Sequence, residues 1–349
     1  MPRGALKGTQ AGGAAGAGRA AAGASRLDPE TVLGALDYPS YFELLELPLP
    51  DGHAAILDAL RRDGLVTHGE AGGWDITHLG ALLFARRLDE FPSLRRKAVR
   101  VIQYKGRDRT ATIREQLGVK GYANGFEGLL GYVNGLLPSN EVIGQALRHT
   151  VPMFPELAVR ELVVNALIHQ DFAVTGAGPM IELFEDRIEI TNPGEPLVET
   201  DRFLDSPPTS RNETLASLMR RFRICEERGS GIDKVVAQVE MYQLPPPLFE
   251  VPPRSTRVVL FGPRPLSEMG REERVRACYW HACLKYVQRE TVTNTTIRER
   301  FGIRVENSAN ASRLLKEAVL SKLIVPYDAD AARSQMRYLP FWAVGERGI

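Results

Sequence analysis

The sequence predicts an α+β protein in which a mixed domain lies between two smaller, mainly helical units. Residues 156–171 have the apolar spacing of a helix. Residues 179–191 alternate between apolar and polar side chains around the turn Glu185-Asp186-Arg187, which is typical of a β-hairpin. A second helical pattern follows Gly231. The chain has 349 residues, 44% hydrophobic and 25% charged, which leaves room for two or three globular domains.

The composition narrows the possible locations of the protein. The net charge is +1, and the cysteines, Cys225, Cys278 and Cys283, are too few for a disulfide framework, so we predict a reducing, cytoplasmic compartment. No apolar run reaches the roughly 18 residues of a membrane-spanning helix, so we expect no membrane partner. The N-terminus has basic residues without an apolar segment, which is not the pattern of a secretory signal.

Two regions precede the mixed domain. Residues 1–26 are rich in Gly and Ala and contain no acidic residue, which predicts a disordered tail. Residues 28–90 are predicted to form a winged-helix-like helical domain, with Asp51 capping a helix, a short β wing, and Thr77 starting a further helix. This domain would either bind DNA or a partner, or act as a packing adaptor for the mixed domain.

The mixed domain is predicted over residues 94–262. It begins with a basic, alternating segment over residues 95–105, which indicates an edge strand protected by charge. Helices are predicted over residues 110–117 and 125–137. Pro155 then marks the entrance of the helix that begins at residue 156.

Glu161 and Asn165 are the first candidate site residues. They are four residues apart on a predicted helix, so both side chains leave the same face one turn apart. An amide oxygen can ligate Mg²⁺, and a carboxylate can orient or deprotonate a water molecule. The alternative is an amphipathic helix with two solvated polar residues.

Two glycine-containing motifs follow the helix in a fixed order. The second strand of the hairpin ends in Asn192-Pro193-Gly194, where the glycine allows a close approach of the backbone. Gly229-Ser230-Gly231 then opens a helix, and free N–H groups at a helix start suit a phosphate. We interpret the ordered set as a nucleotide site.

That order resembles the GHKL ATPase superfamily, which includes DNA gyrase and the histidine kinases. It is most similar to a divergent bacterial branch described as Schlafen/AlbA-containing transcriptional regulators or as RecG-like. The resemblance covers about residues 36–260, and it implies a GHKL (Bergerat-type) α/β sandwich flanked by winged-helix-like domains. Members of this branch usually carry an AlbA-like domain in front, and we expect this chain to lack it. Four stretches carry the resemblance: Arg160–Phe172, Asp186–Gly194, Ser210–Asn212 and Glu227–Ile232.

The resemblance implies roles for these residues toward ATP and Mg²⁺. Glu161 would be the water-activating base and Asn165 the Mg²⁺ ligand. Gly194 would shape the adenine pocket, and Gly229 and Gly231 would bind phosphates. Asn192 stands where most of the superfamily has Asp, and its amide oxygen would accept from adenine without a charge.

The segment between the two glycine motifs would form a mobile lid over ATP. Arg211 and Asn212 are placed where such a lid could reach phosphate, and Arg228 is a second candidate for the γ-phosphate. A surface ion pair is the alternative for each arginine. His169 and Asp171 could suggest a metal site, but a histidine beside such a helix is more often a structural hydrogen bonder.

Residues 270–349 are predicted to form a C-terminal winged helix-turn-helix. The order is a long helix, a short helix, a turn, a second helix and a hairpin, and the second helix of such a unit enters the major groove of DNA. Residues 271–349 contain 14 Lys and Arg against 9 Asp and Glu, a net charge of +5. A dimerisation or packing module is the alternative, and core packing is preferred over zinc for Cys278-x-x-His281-x-Cys283. The residues expected to face double-stranded DNA are Asn307, Asn310, Arg313 and Lys316.

Two classes of function follow. The first is an ATP-binding, DNA-binding transcriptional regulator in which ATP shifts a homodimer and changes how the winged helix meets DNA. The second is a Mg²⁺-dependent ATPase in DNA repair or phage defence, and a nucleotide-inactive scaffold is a third possibility. A helicase is disfavoured because the sequence has no Gly-x-x-x-x-Gly-Lys-Ser/Thr loop. A histidine kinase is disfavoured because no phospho-acceptor histidine is evident on a helix ahead of the site.

Overall fold

The computed structural model describes residues 26–69, 72–143, 148–225, 231–332 and 335–344. Within these ranges it contains eleven α-helices and a six-stranded mixed sheet, so the predicted α+β class is confirmed. The predicted disordered tail lies outside the described residues, apart from Arg26.

The N-terminal region is mainly helical, and Thr77 starts a helix as predicted. Its Oγ1 atom accepts a hydrogen bond from the backbone N–H of Gly80 at 3.0 Å. The predicted cap by Asp51 is wrong, because Gly52, with a φ of +88°, occupies the cap position and no side chain caps that helix. The elements are α1 (Pro29–Ala35), α2 (Tyr38–Leu44), α3 (His53–Arg62), β1 (Val66–His68), β2 (Trp74–Ile76) and α4 (His78–Phe84).

The mixed domain is built on one six-stranded sheet. Its elements are β3 (Arg100–Tyr104), β4 (Thr112–Leu117), α5 (Phe126–Leu136), β5 (Ser139–Ile143), β6 (Arg148–Pro152), α6 (Glu156–Ile168), β7 (Met180–Leu183), β8 (Arg187–Pro193), α7 (Glu213–Arg221), α8 (Gly231–Met241), β9 (Leu248–Glu250) and β10 (Ser255–Phe261). The strand order is β4-β3-β7-β8-β10-β9, with β3 and β7 parallel and the other neighbours antiparallel. Strands β7 and β8 form the predicted hairpin, and β5 pairs with β6 in a separate ribbon.

The region between residues 95 and 117 differs from its prediction. Residues 112–117 form β4 instead of a helix, because they pair with β3, and Arg100 Nε binds Glu115 Oε1 across the pair at 2.6 Å. All six residues of β4 are exposed, so no apolar alternation marks this segment as a strand. The basic strand β3 lies between β4 and β7, so its prediction as an edge strand is wrong.

Helix α6 lies at the centre of the structure. Nine of its 13 residues are buried, so the helix is covered on almost every side. Its apolar residues share one core with Ile181 and Ile190 of the sheet and with Phe84 of the N-terminal region. This burial fixes the position of Glu161 and Asn165 relative to the strands.

The C-terminal region packs on the mixed domain through α8. Its elements are α9 (Arg271–Val287), α10 (Asn294–Phe301), α11 (Ser308–Leu320), β11 (Ile324–Pro326) and β12 (Tyr338–Pro340). Val236 of α8 and Phe249 of β9 share a buried cluster with Tyr279 and Trp280 of α9. Cys278 and Cys283 are fully buried on α9, as expected for core residues. Over the described ranges, no helix combines the length and apolarity needed to cross a membrane.

Candidate functional site

Helix α6 presents Glu161 and Asn165 to a cavity of about 610 Å³. The cavity is bounded by α6, the end of β8, α7 and the first turn of α8. Glu161 is only 8% exposed, so it does not belong to a solvated polar face. The two residues therefore face an internal space of the size that small-molecule ligands occupy.

The first residue of α8 lies directly against both side chains. A Cβ atom added to Gly231 would be 3.0 Å from Glu161 Oε2 and 3.3 Å from Asn165 Nδ2. The absence of a side chain at Gly231 therefore lets the positive start of α8 approach the carboxylate and the carboxamide. One turn further along α8, Lys234 Nζ lies 3.5 Å from Glu161 Oε1. A helix start, a carboxylate, an amide and an ammonium group thus meet at one point.

The end of β8 forms the opposite side of the cavity. Asn192 is buried and lines the cavity, and its Nδ2 donates to the carbonyl oxygen of Pro193 at 3.2 Å. Thr256 pairs in register with Asn192 from β10 and also lines the cavity. The Asn192 amide oxygen has no donor among the described residues and remains able to accept from a ligand.

Gly194 lies next to this side of the cavity but does not line the cavity itself. Its φ is +101°, and an added Cβ atom would lie 3.0 Å from the backbone nitrogen of Asp171. Its carbonyl oxygen accepts a hydrogen bond from Thr256 Oγ1 at 2.7 Å. Gly194 therefore lets the end of β8 approach the segment that follows α6.

Arg211 and Asn212 bind the end of α6 instead of projecting into the cavity. Arg211 donates to the carbonyl oxygens of Glu195 at 3.0 Å and His169 at 3.5 Å. Asn212 Nδ2 donates to the carbonyl oxygens of Ile168 and Gln170, both at 2.7 Å. These residues fasten the start of α7 to the last turn of α6, so Arg211 is not brought together with Glu161 and Asn165.

His169 lines the cavity next to this contact. Burial lowers the pKa of its imidazole, and the nearby guanidinium of Arg211 lowers it further. The ring is therefore neutral at pH 7. Asp171 accepts a hydrogen bond from the backbone N–H of Ala173 at 2.9 Å, which gives it a local structural contact.

Two predicted phosphate contacts lie outside the described residues. Gly229 and Arg228 belong to the segment 226–230, which joins Cys225 to the first turn of α8. Their predicted roles stay predictions.

Helix α7 supplies a wall of the cavity that was not predicted from the sequence. Glu213, Ser217 and Arg220 line the cavity at a spacing of four and three residues, so they share one face of α7. Cys225 lines it as well. The helical spacing is visible in the sequence, but a polar helix face is ordinarily assigned to solvent.

The four residues predicted to face DNA lie on the outer surface of the C-terminal region. Asn307, Asn310, Arg313 and Lys316 are all exposed, at and along α11. The opposite face of α11 buries Ala311, Leu314, Leu315 and Ala318. The exposed face is therefore available to a partner.

Comparisons with known proteins match this architecture. A sequence family described as "Putative ATP-dependent DNA helicase recG C-terminal" matches residues 176–260, a segment that runs from β7 through nearly all of β10. The crystal structure of the DIP2311 protein from Corynebacterium diphtheriae is similar, with a TM-score of 0.54 and 19% sequence identity over 88% of this chain. This chain spans 62% of that protein. No curated protein matches the sequence.

The family match and the mixed α+β fold are consistent with an ATPase-like domain in this chain. The matched segment includes Asn192, Gly194 and Gly231 and excludes α6 with Glu161 and Asn165. An ATPase-type domain implies nucleotide binding, usually with Mg²⁺. At 19% sequence identity, the similarity to the solved structure is evidence for the fold only.

Proposed function

We propose that this chain is an ATP-responsive, DNA-binding regulator with a GHKL-type nucleotide site. The observation that carries the proposal is the contact of Gly231, at the start of α8, with both Glu161 and Asn165 of α6. A helix start attracts phosphate oxygens, and the adjacent amide and carboxylate oxygens are ligands that suit Mg²⁺. The residues present therefore fit a nucleotide bound together with Mg²⁺.

The phosphate end of the site is assigned to Glu161, Asn165 and the start of α8. Mg²⁺, when bound, neutralises phosphate charge and orients the phosphate oxygens. Asn165 would hold it through the amide oxygen, and Glu161 would orient or deprotonate the attacking water. Gly231, with Gly229, would leave backbone N–H groups free for the phosphates. Lys234 would compensate the charge of Glu161.

The adenine end is assigned to the end of β8. Asn192 would accept from the adenine amino group through its amide oxygen, and Thr256 would lie beside it. Gly194 would let the end of β8 lie close to Asp171, and this close approach would shape the adenine end of the cavity. Arg211 would hold the start of α7 near the end of α6, through its hydrogen bonds to the carbonyl oxygens of His169 and Glu195.

The DNA-binding part of the proposal concerns α9 to β12 as a winged helix-turn-helix. Three helices followed by a two-stranded hairpin have the element order of that unit, and the exposed face of α11 carries Asn307, Asn310, Arg313 and Lys316. The net charge of +5 over residues 271–349 favours contact with phosphates.

Helix α8 connects the two parts. Its first residue, Gly231, contacts the proposed phosphate site, and Glu240 near its other end binds His281 of α9 at 2.9 Å. A helix of 11 residues spans about 16 Å. A shift of α8 on nucleotide binding would therefore reach the C-terminal region directly.

Calorimetric titration of ATP with Mg²⁺ tests the nucleotide site. We expect the wild type to bind, Asn165→Ala to bind at least tenfold more weakly, which is about 1.4 kcal/mol, and Asn310→Ala to bind like the wild type. Asn310 is an exposed asparagine on α11, away from the cavity, so it controls for the substitution itself. Equal binding by Asn165→Ala and wild type would contradict the assignment.

Fluorescence anisotropy with labelled duplex DNA tests the regulatory part. We expect ATP with Mg²⁺ to change the DNA affinity or the oligomeric state of the wild type, and Asn165→Ala to lose that response. DNA-stimulated ATP hydrolysis without any effect of ATP on DNA affinity would favour the ATPase alternative. Nucleotide binding with no DNA binding would exclude the regulator.

A further inference from the structure

Arg220 is the one Lys or Arg among the described residues that line the cavity. Its side chain is half-buried, and that side chain makes no hydrogen bond or ion pair with another residue in the part of the chain that the structure describes. The neighbouring arginines of the same segment differ in this respect. Arg221 binds Asp63 at 2.7 Å, and Arg223 binds Glu46, so each of those guanidinium groups has a carboxylate partner.

The direction of α7 places Arg220 at the Glu161 end of the cavity. The start of α7 is bound to the last turn of α6, because Asn212 donates to the carbonyl oxygens of Ile168 and Gln170. Past the other end of α7, the carbonyl oxygen of Ile224 accepts a hydrogen bond from Arg160, the neighbour of Glu161. The two helices therefore run in opposite directions along the cavity.

The distances along the two helices agree with this placement. Arg220 is seven residues from Glu213, and Glu161 is seven residues from Ile168, which corresponds to about 10 Å in each helix. Cys225, which follows α7, lies close enough to both Arg220 and Glu161 for their charges to act on its thiol in opposite directions. Arg220 and Glu161 are thus at the same end, and Asn192 is at the other.

The charge of the cavity lining favours a cation at this position. Its described lining carries three carboxylates, Glu161, Glu195 and Glu213, and His169 is neutral at pH 7 because burial lowers its pKa. The complex of ATP with Mg²⁺ carries a net charge of about −2, and like charges close together repel, most strongly at the buried Glu161 end of the cavity. Lys234 is already close to Glu161, so Arg220, the Arg of the described cavity lining, is the group placed to compensate the phosphates.

We propose that Arg220 binds the terminal phosphate oxygens of ATP, with the hydroxyl group of Ser217 one turn earlier on the same face of α7. A guanidinium can donate two parallel hydrogen bonds to a phosphate group, which makes it selective for the phosphate end of the ligand. This inference rests on the proposed nucleotide site and assigns the discrimination of ATP from AMP to α7. Residues of α7 are then specificity-determining, in addition to those of α6 and α8.

The test is calorimetric titration of ATP, ADP and AMP, with Mg²⁺, into wild type, Arg220→Gln, Arg220→Lys and Arg223→Gln. Arg223→Gln removes the same charge three residues away, at an exposed side chain outside the cavity lining. We expect Arg220→Gln to weaken ATP binding by about 10- to 100-fold, the effect of one charged hydrogen-bonding group, and to leave AMP binding unchanged. Arg220→Lys should recover part of the ATP affinity, and Arg223→Gln should bind all three ligands like the wild type.

The outcomes separate this inference from the nucleotide site itself. Wild-type binding of ATP together with equal binding by Arg220→Gln would overturn the role of Arg220 and leave the site intact. Equal losses for ATP and AMP would show that Arg220 supports the fold of the cavity and does not contact phosphate. Failure of the wild type to bind any of the three nucleotides would overturn both proposals.

Discussion

His281 of α9 places its Nδ1 atom 2.9 Å from Oε2 of Glu240, the second-last residue of α8. Arg300 of α10 places Nε 3.5 Å from the other oxygen of the same carboxylate, and its Nη2 donates to the carbonyl oxygen of Leu244 at 2.7 Å. His281 and Arg300 are both buried. One carboxylate of the mixed domain thus holds two elements of the C-terminal region.

Removing the charge of Glu240 is expected to destabilise the protein. Arg300 is buried, so its charge is poorly solvated and its pKa is lowered, and Glu240 is its neighbouring carboxylate. We expect Glu240→Gln to lower the free energy of unfolding by about 3 kcal/mol, because it leaves a buried guanidinium without a counter-charge. Urea denaturation measures the change.

Glu299→Gln is the matched control for this substitution. Glu299 lies on α10 next to Arg300 and is exposed, so its replacement should change the free energy of unfolding by no more than about 0.5 kcal/mol. Equal effects of the two substitutions would mean that the buried cluster does not stabilise the contact between α8 and the C-terminal region.

Glu161→Gln is expected to separate nucleotide binding from hydrolysis. The amide has the size of the carboxylate and keeps the buried side chain in place, but it cannot take a proton from water. If the protein hydrolyses ATP, the rate should fall by about 100-fold or more while the ATP affinity changes little. Phosphate release and calorimetry measure the two quantities, and an unchanged rate would exclude Glu161 as the base.

Gly231→Ala is expected to weaken ATP binding with little effect on the fold. The added methyl group would lie 3.0 Å from Glu161 Oε2 and 3.3 Å from Asn165 Nδ2, and these side-chain ends can shift to admit it. That shift disturbs the two groups assigned to Mg²⁺ and water. We expect a loss of ATP affinity of at least tenfold by calorimetry.

Gly131→Ala is the control for a glycine in a helix. Gly131 lies on α5, is exposed, and an added Cβ atom would meet nothing within 4 Å. Its substitution should raise the free energy of unfolding by about 0.5–1 kcal/mol and leave ATP binding unchanged. A comparable loss of ATP affinity in both variants would count against a direct role of Gly231.

The elements that could be predicted from the sequence are those determined by the spacing of apolar and polar residues within one short segment. The helix with Glu161, the β7–β8 hairpin and the order of elements after residue 270 depend on spacing within short segments. Strand β4 depends on its partner, because its exposed residues carry no pattern of their own. The cavity-facing role of Arg220 and the Glu240–His281 contact also escaped prediction, since each joins segments that are distant in sequence.

Cys225 is expected to react slowly with thiol reagents, and ATP should slow it further. Burial raises the pKa of this thiol to about 11, so the reactive thiolate is a small fraction at pH 8. The labelling rate with a disulfide reagent such as DTNB should therefore rise about tenfold for each pH unit between pH 8 and 10. ATP with Mg²⁺ should protect Cys225 because it lines the cavity.

Cys225→Ser serves as the control for this labelling. Cys278 and Cys283 are fully buried, so the folded Cys225→Ser protein should show almost no labelling over the same period. Labelling of the wild type that ATP does not affect would place the nucleotide elsewhere.

The double substitution Arg313→Gln and Lys316→Gln is expected to weaken DNA binding and its dependence on salt. Both side chains are exposed on α11. Each phosphate-binding charge contributes about 0.9 to the slope of log K against log salt concentration, so removing both should reduce that slope by about 1.8. Fluorescence anisotropy between 50 and 200 mM salt, roughly the range over which this dependence is measured, gives the slope. Lys285→Gln is the control, because Lys285 on α9 is already paired with Glu290 at 2.7 Å. An unchanged slope in the double variant would favour a protein-binding or packing role for α11, since a DNA-facing helix without these two exposed charges must release fewer counterions.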